Sequence, residues 1–214
     1  MLNVCAECGE YRADKIIDPT GPAAICPLCQ HPHPFRQLPL VAISGPSGAG
    51  KSTVCNALVQ TTTTAVVLDA DILWREDFNQ PANHYAAFFD TWLRMAKNIS
   101  QAGRPVVLFN AGAVPANLEP CIERRYFSRV RYLALVCQDD VLRARLNARP
   151  TWRGSHDSAF IEEQITFCRF LVANPAIECI DTSADTAVMT VAKVAAWLAM
   201  ALQSSTDGPA ATDT

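Results

Sequence analysis

Gly45-Pro46-Ser47-Gly48-Ala49-Gly50-Lys51-Ser52, followed by Thr53, matches G-x-x-x-x-G-K-[ST] in full. Glycines in such a loop let backbone N–H groups turn inward onto phosphate oxygens, and a helix starting at its end adds partial positive charge. In that chemistry Lys51 neutralises the β- and γ-phosphates of a nucleotide and the Ser52 hydroxyl ligates magnesium. No Asn-Lys-x-Asp guanine-reading motif is present, so ATP is the expected nucleotide.

Asp69 and Asp71 close the next apolar run, 64–74. Two residues apart at the C-terminal end of a parallel strand, they would face the ligand crevice together. One would hold the magnesium through its water shell, and the other would take the proton of an acceptor hydroxyl. A capping aspartate with a solvent-facing partner is the alternative. The following run, 104–112, ends in Asn110-Ala111-Gly112 rather than an acidic residue. Motor-type ATPases place a metal-binding carboxylate after such a strand. Small residues here leave room for a bound molecule, which favours transfer over hydrolysis.

Arg145, Arg149 and Arg153 stud a segment broken by Pro150 and Gly154. That composition suits a lid that closes guanidinium groups over a transferring phosphoryl, or else a helix with solvated arginines. Trp74, Tyr85, Phe88, Phe89 and Trp92 crowd the segment from Asp71 to Arg104 beside Arg75 and Arg94. They would stack a base near a hydroxyl or phosphate, or equally form a core-facing stripe. Arg75, Arg94, Trp74, Asp71, Asn110 and Gly112 are therefore the expected acceptor residues.

Cys5-Ala6-Glu7-Cys8 and Cys26-Pro27-Leu28-Cys29 are two C-x-x-C turns 17 residues apart. They can set four thiolates around one tetrahedral ion, with zinc the expected occupant and a structural role because no position stays open. A segment of 36 residues is too short for its own core, so metal would supply its folding energy. It reads as a zinc ribbon over 1–36 with a short hairpin between the knuckles. His31 and His33 read as part of an extended, proline-alternating spacer. The five remaining cysteines read as small core residues.

Positioning these groups takes a strand–loop–helix unit: a buried strand over 38–44 and a helix over 52–60. Further strands are expected at 129–137 and 176–183, and helices at 159–173 and 185–202, the last burying Val188, Val191, Val194 and Leu198. The polar 204–214 reads as disordered. A net charge of −3 argues against a dominant nucleic-acid role, although Arg124, Arg125, Arg129 and Arg131 form one basic cluster. No apolar run is long enough to cross a membrane, and the expected compartment is the cytoplasm.

From about 38 to 202 the order of motifs resembles the P-loop small-molecule kinases, the group containing shikimate, gluconate and nucleoside or nucleoside-monophosphate kinases. The resemblance lies in the loop GPSGAGKST, DAD after the second strand, NAG after the third, RLNARPTWR as lid and IDTS near the end. It implies a three-layer α/β/α fold over 38–203 with a parallel sheet, and γ-phosphoryl transfer from ATP to a small molecule, foremost a nucleoside or nucleotide. It also implies that Arg145, Arg149 and Arg153 contact ATP phosphates, with Asp181 and Thr182 beside the adenine. Lys51, Asp69, Asp71, Arg149 and Arg153 would form the catalytic set. Typical members carry no N-terminal ribbon. A polynucleotide end kinase, an RNA-associated ATPase and a non-catalytic ATP sensor remain the competing readings.

Overall fold

A computed structural model describes residues 2–18 and 20–203. The polar tail 204–214 lies outside them. At the front, β1 (Ile16–Asp18), β2 (Ala23–Ile25) and β3 (Pro32–Pro34) form an antiparallel sheet in that order. The hairpin expected between the knuckles is β1–β2. The segment expected as a spacer differs: Pro32–Pro34 pairs with β2, opposite Ile25 through Ala23. Prolines lack an N–H to share, and β3 accordingly sits at a sheet edge.

Five parallel strands form the main sheet, in the order β5 (Val66–Asp69), β6 (Val106–Phe109), β4 (Leu40–Ser44), β7 (Val130–Val136), β8 (Glu178–Asp181). The central strands β4 and β6 are short, apolar and buried on both faces, as crossover connections require, while the edge strand β8 is largely exposed. Alternation along β4 divides two layers. Val41 and Ile43 pack with α1 (Lys51–Thr61) and α6 (Ala187–Gln203) through Leu58, Val194 and Leu198. Leu40 and Ala42 pack on the opposite layer with α2 (Ala86–Ser100) and α5 (Ser158–Ala173) through Trp92, Leu93, Ile161 and Ile165. The short α3 (Pro115–Leu118) and α4 (Asp139–Asn147) complete that layer.

Three expectations need correction. The second strand stops at Asp69, and Ala70–Leu73 is a 3-10 turn, because the Asp69 side chain accepts the Asp71 N–H at 3.0 Å and caps it. Val188 is 79% exposed; the face of α6 that meets the sheet runs through Thr190, Val194, Trp197, Leu198 and Ala201. Cys55, Cys121, Cys137 and Cys168 are buried, but Cys179 is exposed on the edge strand β8.

Candidate functional site

After β4 the chain passes through β5, returns to β6 beside β4, then crosses to β7 on the other side. Ligands bind where the strand order reverses in this way, at the C-terminal strand ends. Gly45 leaves β4 with φ near +148°, and a Cβ there would stand 2.5 Å from the Leu135 carbonyl oxygen. Only glycine lets the loop hug β7 so closely. Ser47, Gly48, Gly50, Lys51, Ser52, Thr53, Arg145, Arg149 and Arg153 line one cavity of about 430 Å³. Its walls are loop backbone, hydroxyls and cations, the donor set an oligophosphate with magnesium requires.

Lys51 Nζ donates to the carbonyls of Gly45 at 2.6 Å and Pro46 at 3.1 Å. Burial pushes its ammonium down to about 8, against the opposing pull of Asp71 and Asp69. Burial, then the charge of Arg153, lowers Arg149. Arg145 is anchored: its Nη1 donates to Thr182 Oγ1 at 2.9 Å and its Nη2 to Thr182 O at 2.6 Å. Arg145 and Thr182 line a smaller, adjoining recess of about 160 Å³ with Gly48, Ala49 and Thr53. Asp181 does not line it. That side chain is exposed and accepts from Ser183 N and Oγ, which caps the end of β8.

On the other side of the loop lies a second cavity, about 570 Å³, lined among others by Asp71, Trp74, Tyr85, Phe88, Asn110, Gly112 and Gln164. Asp71 Oδ1 accepts from Asn110 Nδ2 at 2.7 Å, and Asn110 Oδ1 accepts the Gly112 N–H at 2.8 Å. Gly112 is hemmed in; a Cβ would lie 3.2–3.3 Å from Asn110, Asn117 and Phe89. Asp69 lines neither cavity, being the cap of the turn that carries Asp71. Trp92 Nε1 donates to the Ala70 carbonyl, so α2 holds that turn from below.

The aromatic run divides between both readings of it. Phe88, Phe89 and Trp92 are core residues, while Trp74 is 42% exposed and meets Tyr85 and Phe88 at ring-centroid distances of 6.1 and 5.2 Å. The two arginines expected here are elsewhere. Arg75 is exposed and pairs with Asp77 at 2.9 Å. Arg94 Nε donates to buried Glu123 at 2.9 Å on the ribbon side of α2, where it joins Lys97 in compensating a buried carboxylate. The sequence reading missed Gln164. Its Oε1 accepts the Ser47 N–H at 2.8 Å while it lines the second cavity, so α5 touches both chambers. A helix position 117 residues from the loop leaves no local sequence signal.

At the front end, the Sγ atoms of Cys5, Cys8, Cys26 and Cys29 lie within 4.8 Å of one another. Cys5–Cys29 is 3.5 Å and Cys8–Cys26 is 3.8 Å. A tetrahedral zinc–thiolate centre has sulfur–sulfur edges of about 3.8 Å, so these residues fit the ion. Backbone N–H groups, first that of Cys8, hold the Cys5 thiol down to about 5. His33 donates to or accepts from Cys5 Sγ at 3.3 Å, beside rather than within the set of four.

The ribbon is packed onto the main body. Leu2, Ala24 and Phe35 cluster with Tyr126, and Tyr126 Oη donates to Ala13 O at 2.8 Å. Lys97 of α2, fully buried, donates to Asn3 and to Glu123 and lies over the Tyr126 ring at 3.8 Å. The basic cluster is engaged internally: Arg124 pairs with Glu119, Arg131 with Glu178, and Arg125 donates to the Ile122 and Lys15 carbonyls. Among the described residues no helix is long and apolar enough to cross a membrane.

Solved structures share this fold. A sugar kinase from Janibacter sp. HTCC2649 matches with TM-score 0.54 at 16% identity, over 78% of this chain and 98% of that one. A gluconokinase from Sinorhizobium meliloti 1021 matches with TM-score 0.55 at 18% identity, over 79% and 96%. The tunicamycin resistance protein of Deinococcus radiodurans matches with TM-score 0.57 at 17% identity, over 75% and 95%. No curated protein matches. Residues 40–171, which carry the loop, both cavities' main walls and Arg145, Arg149 and Arg153, match the family described as AAA domain. With that segment, more than half its length, this chain belongs to the AAA domain family of P-loop proteins.

Proposed function

We propose that the protein is an ATP-dependent kinase that transfers the γ-phosphoryl group to a small hydroxyl-bearing molecule, foremost a nucleoside or nucleotide. One observation carries this reading: Asp71 lines the cavity next to the phosphate loop and acts electrostatically on Lys51. A carboxylate so placed can accept the proton of an acceptor hydroxyl as it attacks. Asn110 orients that carboxylate through Asp71 Oδ1. Lys51, Arg145, Arg149 and Arg153 would hold the phosphates and compensate charge as it moves towards the leaving oxygen. Ser52 would hold magnesium, which would neutralise phosphate charge, while Asp69 serves by capping the turn that carries Asp71. Arg145 and Thr182 would border the nucleoside end of ATP. The sugar kinase and the gluconokinase among the similar structures support the same class, as does the aromatic wall of Trp74 and Tyr85 for a ring-bearing acceptor.

Incubation of the full chain with labelled ATP, magnesium and a panel of nucleosides, nucleotides, sugars and acids tests the reading. A phosphorylated acceptor is expected. Asp71→Asn should lower its formation by about 10²- to 10⁴-fold, with ATP affinity unchanged within about threefold. Equal turnover by the variant would sink the assignment.

A further inference from the structure

Charge separates the two cavities. Among the described residues, the phosphate chamber is lined by four cations, Lys51, Arg145, Arg149 and Arg153, and by no carboxylate. Across Gln164, the acceptor chamber is lined, among the described residues, by two carboxylates, Asp71 and Glu163, and by no Lys, Arg or His. Asp71 is paired with an amide, and Glu163 has no hydrogen bond or ion pair among the described residues. The arginines that might have reversed this balance are committed elsewhere, Arg75 to Asp77 and Arg94 to Glu123. The rest of the wall is aromatic, amide or small and aliphatic. Asn110 and Asn117 are themselves tied to Gly112.

We infer that the acceptor is a hydroxyl compound bearing a ring face and no phosphate or carboxylate, either uncharged or amine-bearing. This rests on the kinase reading and narrows it, choosing the nucleoside over the nucleotide. An anionic acceptor would enter a chamber whose lining, among the described residues, holds two like charges and no cation. Sites that accept phosphates or carboxylates present arginine forks or lysines to them, as the chamber on the other side of the loop does. An uncharged ring meets Trp74 and Tyr85 without that cost, and an ammonium group also gains Glu163 and the aromatic faces. Its hydroxyl then points at Asp71.

Matched pairs test this on the full chain: a nucleoside and its monophosphate, a neutral sugar and its aldonate, and an amino sugar beside its neutral parent. Phosphoryl transfer is read as kcat/KM, and binding is read by calorimetry with a non-hydrolysable ATP analogue present. The uncharged or amine-bearing member should be preferred by about tenfold or more. Glu163→Gln should narrow the gap and Glu163→Arg should close or invert it; the position is exposed, so both variants should fold. Preference for the anionic member, or equal use of both, overturns the inference while leaving the kinase reading intact. If nothing is phosphorylated the kinase reading fails, and binding then decides: only tighter binding of the uncharged member preserves the inference. A preference that neither substitution moves also overturns it.

Discussion

Lys51 combines two demands that conflict: it must carry charge for the phosphates, yet it is half-buried among loop carbonyls. Burial wins, and its ammonium sits at about 8 rather than near 10.5. Asp71 and Asp69 restrain the fall, and Arg149 adds to it. A bound phosphate favours the charged form and raises this value. The sign follows. Below pH 8 the lysine is already protonated and nucleotide affinity should be flat. Above it, binding must take up a proton, and affinity should fall by about tenfold per pH unit until the bound-state value is reached. Calorimetry of ADP binding between pH 7 and 10, in buffers of different ionisation enthalpy, checks both the slope and the proton uptake. Lys51→Met should bind weakly with no such slope. Lys51 is legible from sequence because its partners are its own loop. Gln164 and Glu163 are not, since what matters about them is where α5 lies.

Among the elements, α2 has two jobs on two faces. Trp92 holds the turn carrying Asp71, and Lys97 joins Asn3 and Glu123 under the ribbon. Both ionic side chains are fully buried, so their mutual attraction offsets a large desolvation cost. Glu123→Gln strands the Lys97 charge and should lower stability by about 3 kcal/mol in urea unfolding. The double replacement Lys97→Met with Glu123→Leu should cost clearly less, because no lone charge remains. A single variant as stable as the wild type would show that the pair is not formed. The helix and its aromatic content are readable from sequence. That Arg94 and Lys97 both serve the ribbon side rather than the cavity is not, because their one shared face of the helix could meet either and only packing decides which.

For the whole molecule, the ribbon is a bracket rather than a tethered appendage. Its apolar cluster is completed by Tyr126 of the main body, and Arg36 and Gln101 exchange backbone–side-chain hydrogen bonds across the junction. One zinc per chain is expected by native mass spectrometry. Chelation should lower the thermal midpoint by several degrees and expose Tyr126, because metal binding supplies folding free energy to so small a unit. ADP binding should survive below the new midpoint, since the phosphate loop and the cavity around it contain no ribbon residue. A metal-free protein with an unchanged midpoint would refute the bracket.

Sequence by itself determined what depends on neighbours in the chain. The phosphate loop needs glycines, a lysine and a flanking strand and helix in direct succession, and C-x-x-C knuckles are local turns, so both are written contiguously. The parallel α/β architecture was equally readable from short apolar strands alternating with helical segments. Tertiary structure alone decided what requires distant segments to meet: the pairing of Pro32–Pro34 with the ribbon sheet, the seating of Gln164 against the phosphate loop, and the turning of Arg94 to Glu123 instead of the second cavity. The physical reason is the same in each case. A polar side chain settles on the partner that best compensates its burial, and which partner is within reach is a property of the packed molecule.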